Sequence, residues 1–205
     1  MNEKNNNTLS DSIAKIISII FDPAALGILI LVVAIIRSDM PSFETIGWII
    51  SVVVLNGIVP LMFLVYFYRK GYVFDDVLQK KDIHRQRVRL YYVFLTVVAI
   101  ELIYLYFTIH YQPLYAVLTG GLVAIVVALA ITYFWKISLH SSIVTLFVAM
   151  LLFIYGTKVV VVIAFIPLVF WSRIVLKRHT FWQLFAGFIL ALIIAVGIFY
   201  MFGLV

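Results

Sequence analysis

Residues 181–203 read FWQLFAGFILALIIAVGIFYMFG, a stretch without a single charged side chain. A helix that crosses the hydrocarbon core of a bilayer needs roughly 20 apolar residues, and this stretch supplies them. Comparable stretches lie before it at about 14–37, 44–69, 90–110, 113–135, 141–156 and 159–176. The last two are short, and Gly156 is the only clear break between them. Seven crossings is therefore the preferred count, with six as the alternative if those two form one bent element. Asp22-Pro23 marks either a kink in the first span or a helix that begins at Pro23.

Composition agrees with this reading. Of 205 residues, 65% are hydrophobic and 12% charged, whereas soluble domains run near half apolar and about a quarter charged. The expected fold class is all-α, a polytopic transmembrane helical bundle of six to seven spans. The in-out alternation of a membrane barrel is absent. Disorder is excluded by the wealth of aliphatic and aromatic residues. With no cysteine, disulfide frameworks, iron–sulfur clusters, cysteine-based zinc sites and thiol catalysis are excluded as well. Residues 1–10, MNEKNNNTLS, are expected to be a flexible polar N-terminus with no signal-peptide pattern. Residues 11–205 are expected to form a single transmembrane domain. The net charge of +6 points to anionic headgroups or phosphate-bearing substrates rather than nucleic acid.

The polar residues gather in three islands: Arg69 to Arg89, Lys136 to Ser142, and Ser172 to Gln183. Two spans precede the first island, and two separate each island from the next. An even number of crossings returns the chain to its starting side, so all three islands should share one membrane face. Of the 15 Lys and Arg residues, only Arg37 and Lys158 fall on the other face. The excess of positive charge then places the islands in the cytoplasm, most naturally of a cell membrane.

Each island offers chemistry and a plainer alternative. In the third, Gln183 follows His179 by four residues, so both share one helix face. Gln183 Oε1 can accept from His179 Nδ1–H, which leaves the lone pair on Nε2 as nucleophile or base. Arg173 ends the preceding span. The alternative is that these basic residues merely reach toward headgroups. In the second island, His140 stands among the hydroxyls of Ser138, Ser141 and Ser142, either as a proton donor or as an interfacial residue beside helix caps. In the first, Lys80 and Arg87 are seven residues apart, about two helical turns. They can grip phosphate oxygens, or belong to a solvated basic loop that attracts anionic lipids. Glu101 lies deep in a span, as a functional group or as a protonated one hydrogen-bonded in the bundle.

Taken together, the islands resemble the type 2 phosphatidic acid phosphatase superfamily of integral-membrane lipid phosphatases. That family carries Lys-x6-Arg-Pro, then Pro-Ser-Gly-His, then Ser-Arg-x5-His-x3-Asp. Here the series reads Lys80-x6-Arg87-Val88, Ile137-Ser138-Leu139-His140 and Ser172-Arg173-x5-His179-x3-Gln183, with Ala186-Gly187 after it also familiar from the family. The resemblance spans about residues 70–190. The departures are Val88, Ile137, Leu139 and, most important, Gln183 in place of the final Asp. An amide orients a histidine but does not offset the charge of an imidazolium.

The resemblance implies metal-independent hydrolysis of a membrane lipid phosphate or diphosphate, with polyprenyl substrates favoured. His179 would attack phosphorus to give a phosphohistidine, Gln183 would orient it, and His140 would protonate the leaving oxygen. Lys80, Arg87, Ser138 and Arg173 would hold the phosphate oxygens. No cofactor, metal or nucleic-acid partner is implied. The partners expected are the lipid phosphate and the bilayer itself. A non-catalytic protein of the same fold, binding or transporting anionic lipids, is the alternative favoured by Gln183, Ile137 and Leu139.

Overall fold

The computed structural model describes residues 9–70, 80–108 and 111–203. Among them every regular element is helical. The elements are α1 (Leu9–Ile20), α2 (Pro23–Ile36), α3 (Ser42–Val53), α4 (Val59–Arg69), α5 (Lys80–Thr108), α6 (Gln112–Thr132), α7 (Leu139–Tyr155), α8 (Phe165–Val175) and α9 (Phe181–Met201). A π-helical turn, Val54–Ile58, joins α3 to α4, and a 3₁₀ stretch, Gly156–Ala164, joins α7 to α8.

Local chemistry sets several of these boundaries. Asp22 resolves the choice left by the sequence, because its Oδ1 accepts from Ala24 N at 2.9 Å and Ala25 N at 3.2 Å. It caps a new helix that begins at Pro23, where a missing N–H costs nothing. Pro113 stands similarly in the first turn of α6.

Six segments are long and apolar enough to cross a membrane: Leu9–Ile36, Ser42–Phe67, Val88–Phe107, Gln112–Thr132, Leu139–Val175 and Phe181–Met201. The count is six rather than the preferred seven because helical turns run on without a loop from α7 through Gly156–Ala164 into α8. Gly156, at φ 64°, nevertheless reverses the chain, since both the 3₁₀ stretch and α8 pack back on α7. The two counts differ only in whether this hairpin is taken once or twice.

The distribution of side chains is that of a protein whose solvent is hydrocarbon. Phe43, Phe107, Phe134 and Tyr200 are exposed, Phe134 by 93%. Ser138, Ser141 and Ser172 are fully enclosed, and Glu101 is 2% exposed. Lipid tails give no hydrophobic drive between helices, so small residues and hydrogen bonds hold the helices together.

The chain divides into two compact units. One holds residues up to Leu26 with Ile137–Leu192, and the other holds Gly27–Lys136 with the residues from Ile193 on. In the second unit α5 packs on α6. The buried Asn56, in the π-helical turn, donates to Glu101 Oε1 at 2.8 Å. Tyr111 donates to Glu44 at 2.6 Å, and Ser38 Oγ accepts from Leu114 N at 3.2 Å.

Candidate functional site

The first unit carries most of the residues singled out by sequence. Its α1 and α8 run antiparallel: Ser172 Oγ donates to Ala14 O at 2.7 Å, and the Phe21 and Phe165 rings meet at 5.0 Å. By contrast, α7 and α9 start side by side and run the same way. Ser138 N donates to Gln183 O at 3.2 Å, Ser141 Oγ to Leu184 O at 2.6 Å, and Ser142 Oγ to Gly187 O at 3.1 Å. The second and third polar islands therefore lie at one end of this unit, which requires the hairpin between them to go out and return.

This seam depends on Gly187. A Cβ there would stand 2.7 Å from Ser138 O and 2.9 Å from Ser142 Oγ. The first turn of α7 thus lies directly on the backbone of α9, closer than any side chain permits.

His179 and Gln183 stand at the start of α9. Their Nδ1 and Oε1 atoms are 3.2 Å apart, the pairing that the four-residue spacing implies. With the proton on Nδ1, the lone pair sits on Nε2. Gln183 Oε1 also accepts from Thr180 N at 3.2 Å, and Thr180 Oγ1 accepts from Gln183 N at 3.4 Å. This is a capping box, Thr-x-x-Gln, which satisfies two orphan N–H groups reciprocally. The glutamine therefore has two tasks, closing the helix N-terminus and holding the imidazole. The pattern is visible in the sequence as Thr180 and Gln183 at cap spacing, a signal separate from the three motifs.

Ser138 caps α7, its Oγ accepting from Ser141 N at 3.4 Å. It is fully buried, so its hydroxyl serves to secure the helix N-terminus. His140 lies in the first turn of that helix and is half-buried. Two helix N-termini, each with its histidine, thus converge at the same end, and their N–H groups favour negative charge.

Arg173 lies in the last turn of α8, and its Nη1 donates to Ser18 Oγ of α1 at 2.6 Å. The helix ends in a Schellman motif. Arg178 N donates to Arg173 O at 3.1 Å and Lys177 N to Ile174 O at 2.9 Å, with Lys177 left-handed at φ 52°. The turn carries the chain from Arg173 to His179 within a few residues. From Leu102 to the last residue the sequence holds no Asp or Glu, so no carboxylate of that half opposes the positive field.

Lys80 and Arg87 fall on α5, in the second unit, and their side chains lie outside the described residues. Of the expected set, the structure brings together His179, Gln183, Ser138 and the first turn that bears His140. It places Arg173 on the adjoining α8, facing α1. Comparison with known proteins finds no matching family model, no matching curated protein and no matching solved structure.

Proposed function

We propose that the protein is a metal-independent lipid phosphatase of the type 2 phosphatidic acid phosphatase kind, acting from an integral-membrane position. The observation that carries the reading is the His179–Gln183 pair at the N-terminus of α9, seamed to the histidine-bearing start of α7. His179 Nε2 attacks phosphorus, forming an N–P bond as the P–O bond to the lipid alcohol or diphosphate oxygen breaks. His140 gives that oxygen its proton. Water, giving a proton back to His140, then attacks the phosphohistidine, breaking the N–P bond, releasing inorganic phosphate and restoring both imidazoles. Arg173 holds phosphate oxygens with its planar fork. The stretch without Asp or Glu supports a reaction carried by imidazoles and cations rather than by carboxylate-held metal ions. Amphiphiles with an apolar tail, polyprenyl diphosphate first among them, suit a site flanked by lipid-facing helices. The excess of cations on the polar islands supports a cytoplasmic face for the site in a cell membrane.

A second reading is favoured by one specific observation. Gln183 belongs to a capping box, which accounts for its presence without catalysis, and it adds no charge to activate His179. On that reading the protein binds anionic lipids without turnover. The deciding experiment is phosphate release by purified protein in detergent with EDTA, offered a polyprenyl diphosphate, a polyprenyl phosphate and phosphatidic acid. Release that disappears in His179→Ala supports the phosphatase. Its absence with every lipid, from folded protein, refutes it.

A further inference from the structure

Glu101 lies deep in the second unit, apart from the three polar islands. It sits inside the Val88–Phe107 span, about 9 Å along the helix from the Phe107 end. Val97, Val98 and Leu105 share its face of α5 at i−4, i−3 and i+4, and all three are buried. Opposite it, Trp48, Val52 and Asn56 follow one another at four-residue steps and are buried as well. Two apolar faces thus meet with one polar residue on each, and Asn56 Nδ2 donates to Glu101 Oε1 at 2.8 Å. Asn56 belongs to the π-helical turn, a form frequent at functional sites. Glu101 Oε2 is enclosed and has no hydrogen-bond partner among the described residues.

The neighbouring segments hold no charge to balance it. Across residues 45–68, 90–108 and 112–132, Glu101 is the only Asp, Glu, Lys, Arg or His. The titratable groups of the elements packed against α5 are Tyr115 on α6 and Tyr66, Tyr68 and Arg69 on α4, and the π turn has none. Tyr115 meets the Phe202 ring, Tyr66 is exposed and Arg69 closes α4. On α3, Glu44 accepts from Tyr111. A carboxylate with one hydrogen bond and no cation is costly in hydrocarbon, and a proton on Oε2 removes the charge. Holding the helices together does not by itself account for the residue. A glutamine would accept the same hydrogen bond from Asn56. What glutamate adds is the capacity to take up and release a proton.

We propose that Glu101 is a reversible proton-binding site within the membrane, seated by Asn56 at the π-helical turn. A proton from water forms the Oε2–H bond and gives a neutral carboxylic acid, and its release restores the carboxylate. Asn56 serves both states, since its N–H donates equally to a carbonyl or a carboxylate oxygen. The site uses none of the residues proposed for phosphate hydrolysis.

The test follows the full-length protein in detergent through a pH titration with two probes. Infrared spectroscopy reads the C=O stretch of a protonated carboxyl. Dicyclohexylcarbodiimide, an apolar reagent, labels such a group. The carboxyl proton passes to a carbodiimide nitrogen as the carboxyl oxygen bonds to the central carbon, and the adduct rearranges to a stable N-acylurea that peptide mass spectrometry locates. Near neutral pH, Glu101 should be labelled and the infrared band present, and both should be lost reversibly as the pH is raised. The band should be missing in Glu101→Gln and retained in Glu44→Gln. Labelling located at Glu101 in the unaltered protein reads the same proton should Glu101→Gln fail to fold. Folded protein with neither label nor band overturns the proposal. So does a band that persists in alkali with helical content intact, the mark of a fixed structural acid. Labelling suppressed by sodium chloride but not by choline chloride, at constant pH, assigns the site to a metal cation and overturns it as well.

Discussion

Replacing Gly187 by alanine tests the seam on which the candidate site is built. The new Cβ would meet Ser138 O at 2.7 Å, Ser142 Oγ at 2.9 Å and Ser141 Cβ at 3.4 Å. The first of these is backbone and cannot rotate away. To regain about 3.4 Å of ordinary contact, α7 has to retreat by roughly 0.7 Å, a gap that forfeits a quarter to a half of the dispersion attraction across it. Overpacking of this sort costs about 1–3 kcal/mol. The seam's three hydrogen bonds stretch with it, and losing one costs about 1 kcal/mol more. Against this, alanine is a better helix former than glycine by about 1 kcal/mol. The expected net loss is about 2 kcal/mol. Gly121, in the interior of α6, has nothing within 4 Å of an added Cβ, so Gly121→Ala should gain about 0.5–1 kcal/mol from propensity. Unfolding of both variants in mixed micelles, followed by far-UV circular dichroism, gives the comparison. Gly187→Ala should also lose phosphate release at temperatures where it remains folded, because the start of α7 moves relative to His179. A Gly187→Ala protein as stable as Gly121→Ala would refute the close approach.

Further outcomes separate structure from chemistry. Thr180→Ala removes half of the capping box and should cost about 1 kcal/mol of stability. It leaves the His179–Gln183 pair intact, so turnover measured below the unfolding range should change little. Gln183→Glu preserves the box and places a carboxylate against the imidazole. If His179 is the nucleophile, phosphate release should rise by about tenfold and its pH profile should shift upward, because the added charge favours the protonated ring. Lys177→Gly should stabilise by about 0.5–1 kcal/mol, since glycine adopts the left-handed cap position without strain, and Lys177→Val should destabilise; thermal unfolding in detergent reads both. Asn56→Ala strips the buried Glu101 of its donor and should cost about 2 kcal/mol, measured in the same way.

Much of this architecture is legible in one dimension, and the physical reason is consistent. Hydrocarbon demands long apolar helices, so the spans announce themselves by length. Asp22-Pro23 and Ser138 are written as caps, and His179 and Gln183 are one helical turn apart wherever a helix starts. Gly156 stood out as the only break in its stretch, but whether the chain bent or reversed there depended on α7 and α8 packing together, which is a tertiary matter. The long-range partners were hidden for a different reason. Spans that are apolar on all sides carry little amphipathic period, so their sequence does not say which face is inward. Ser141 with Leu184 is a pairing between distant segments of that kind, while Ser172 with Ala14 and Arg173 with Ser18 join such a segment to the amphipathic α1. The contact of Arg173 with α1 could not be read from the motifs, since Ser18 precedes all three. In sequence Gly187 is part of a dipeptide familiar from the resembled family, while its physical task, admitting the backbone of α7, is visible only in three dimensions.

The most direct test of the central claim is a search for the covalent intermediate. Purified protein would be mixed with radiolabelled phosphatidic acid or polyprenyl diphosphate in the presence of EDTA, quenched in alkali and separated from lipid. Protein-bound phosphate should survive alkali, be released by acid and be absent in His179→Ala. Phosphate release without such an adduct, or an adduct that persists in His179→Ala, would contradict it.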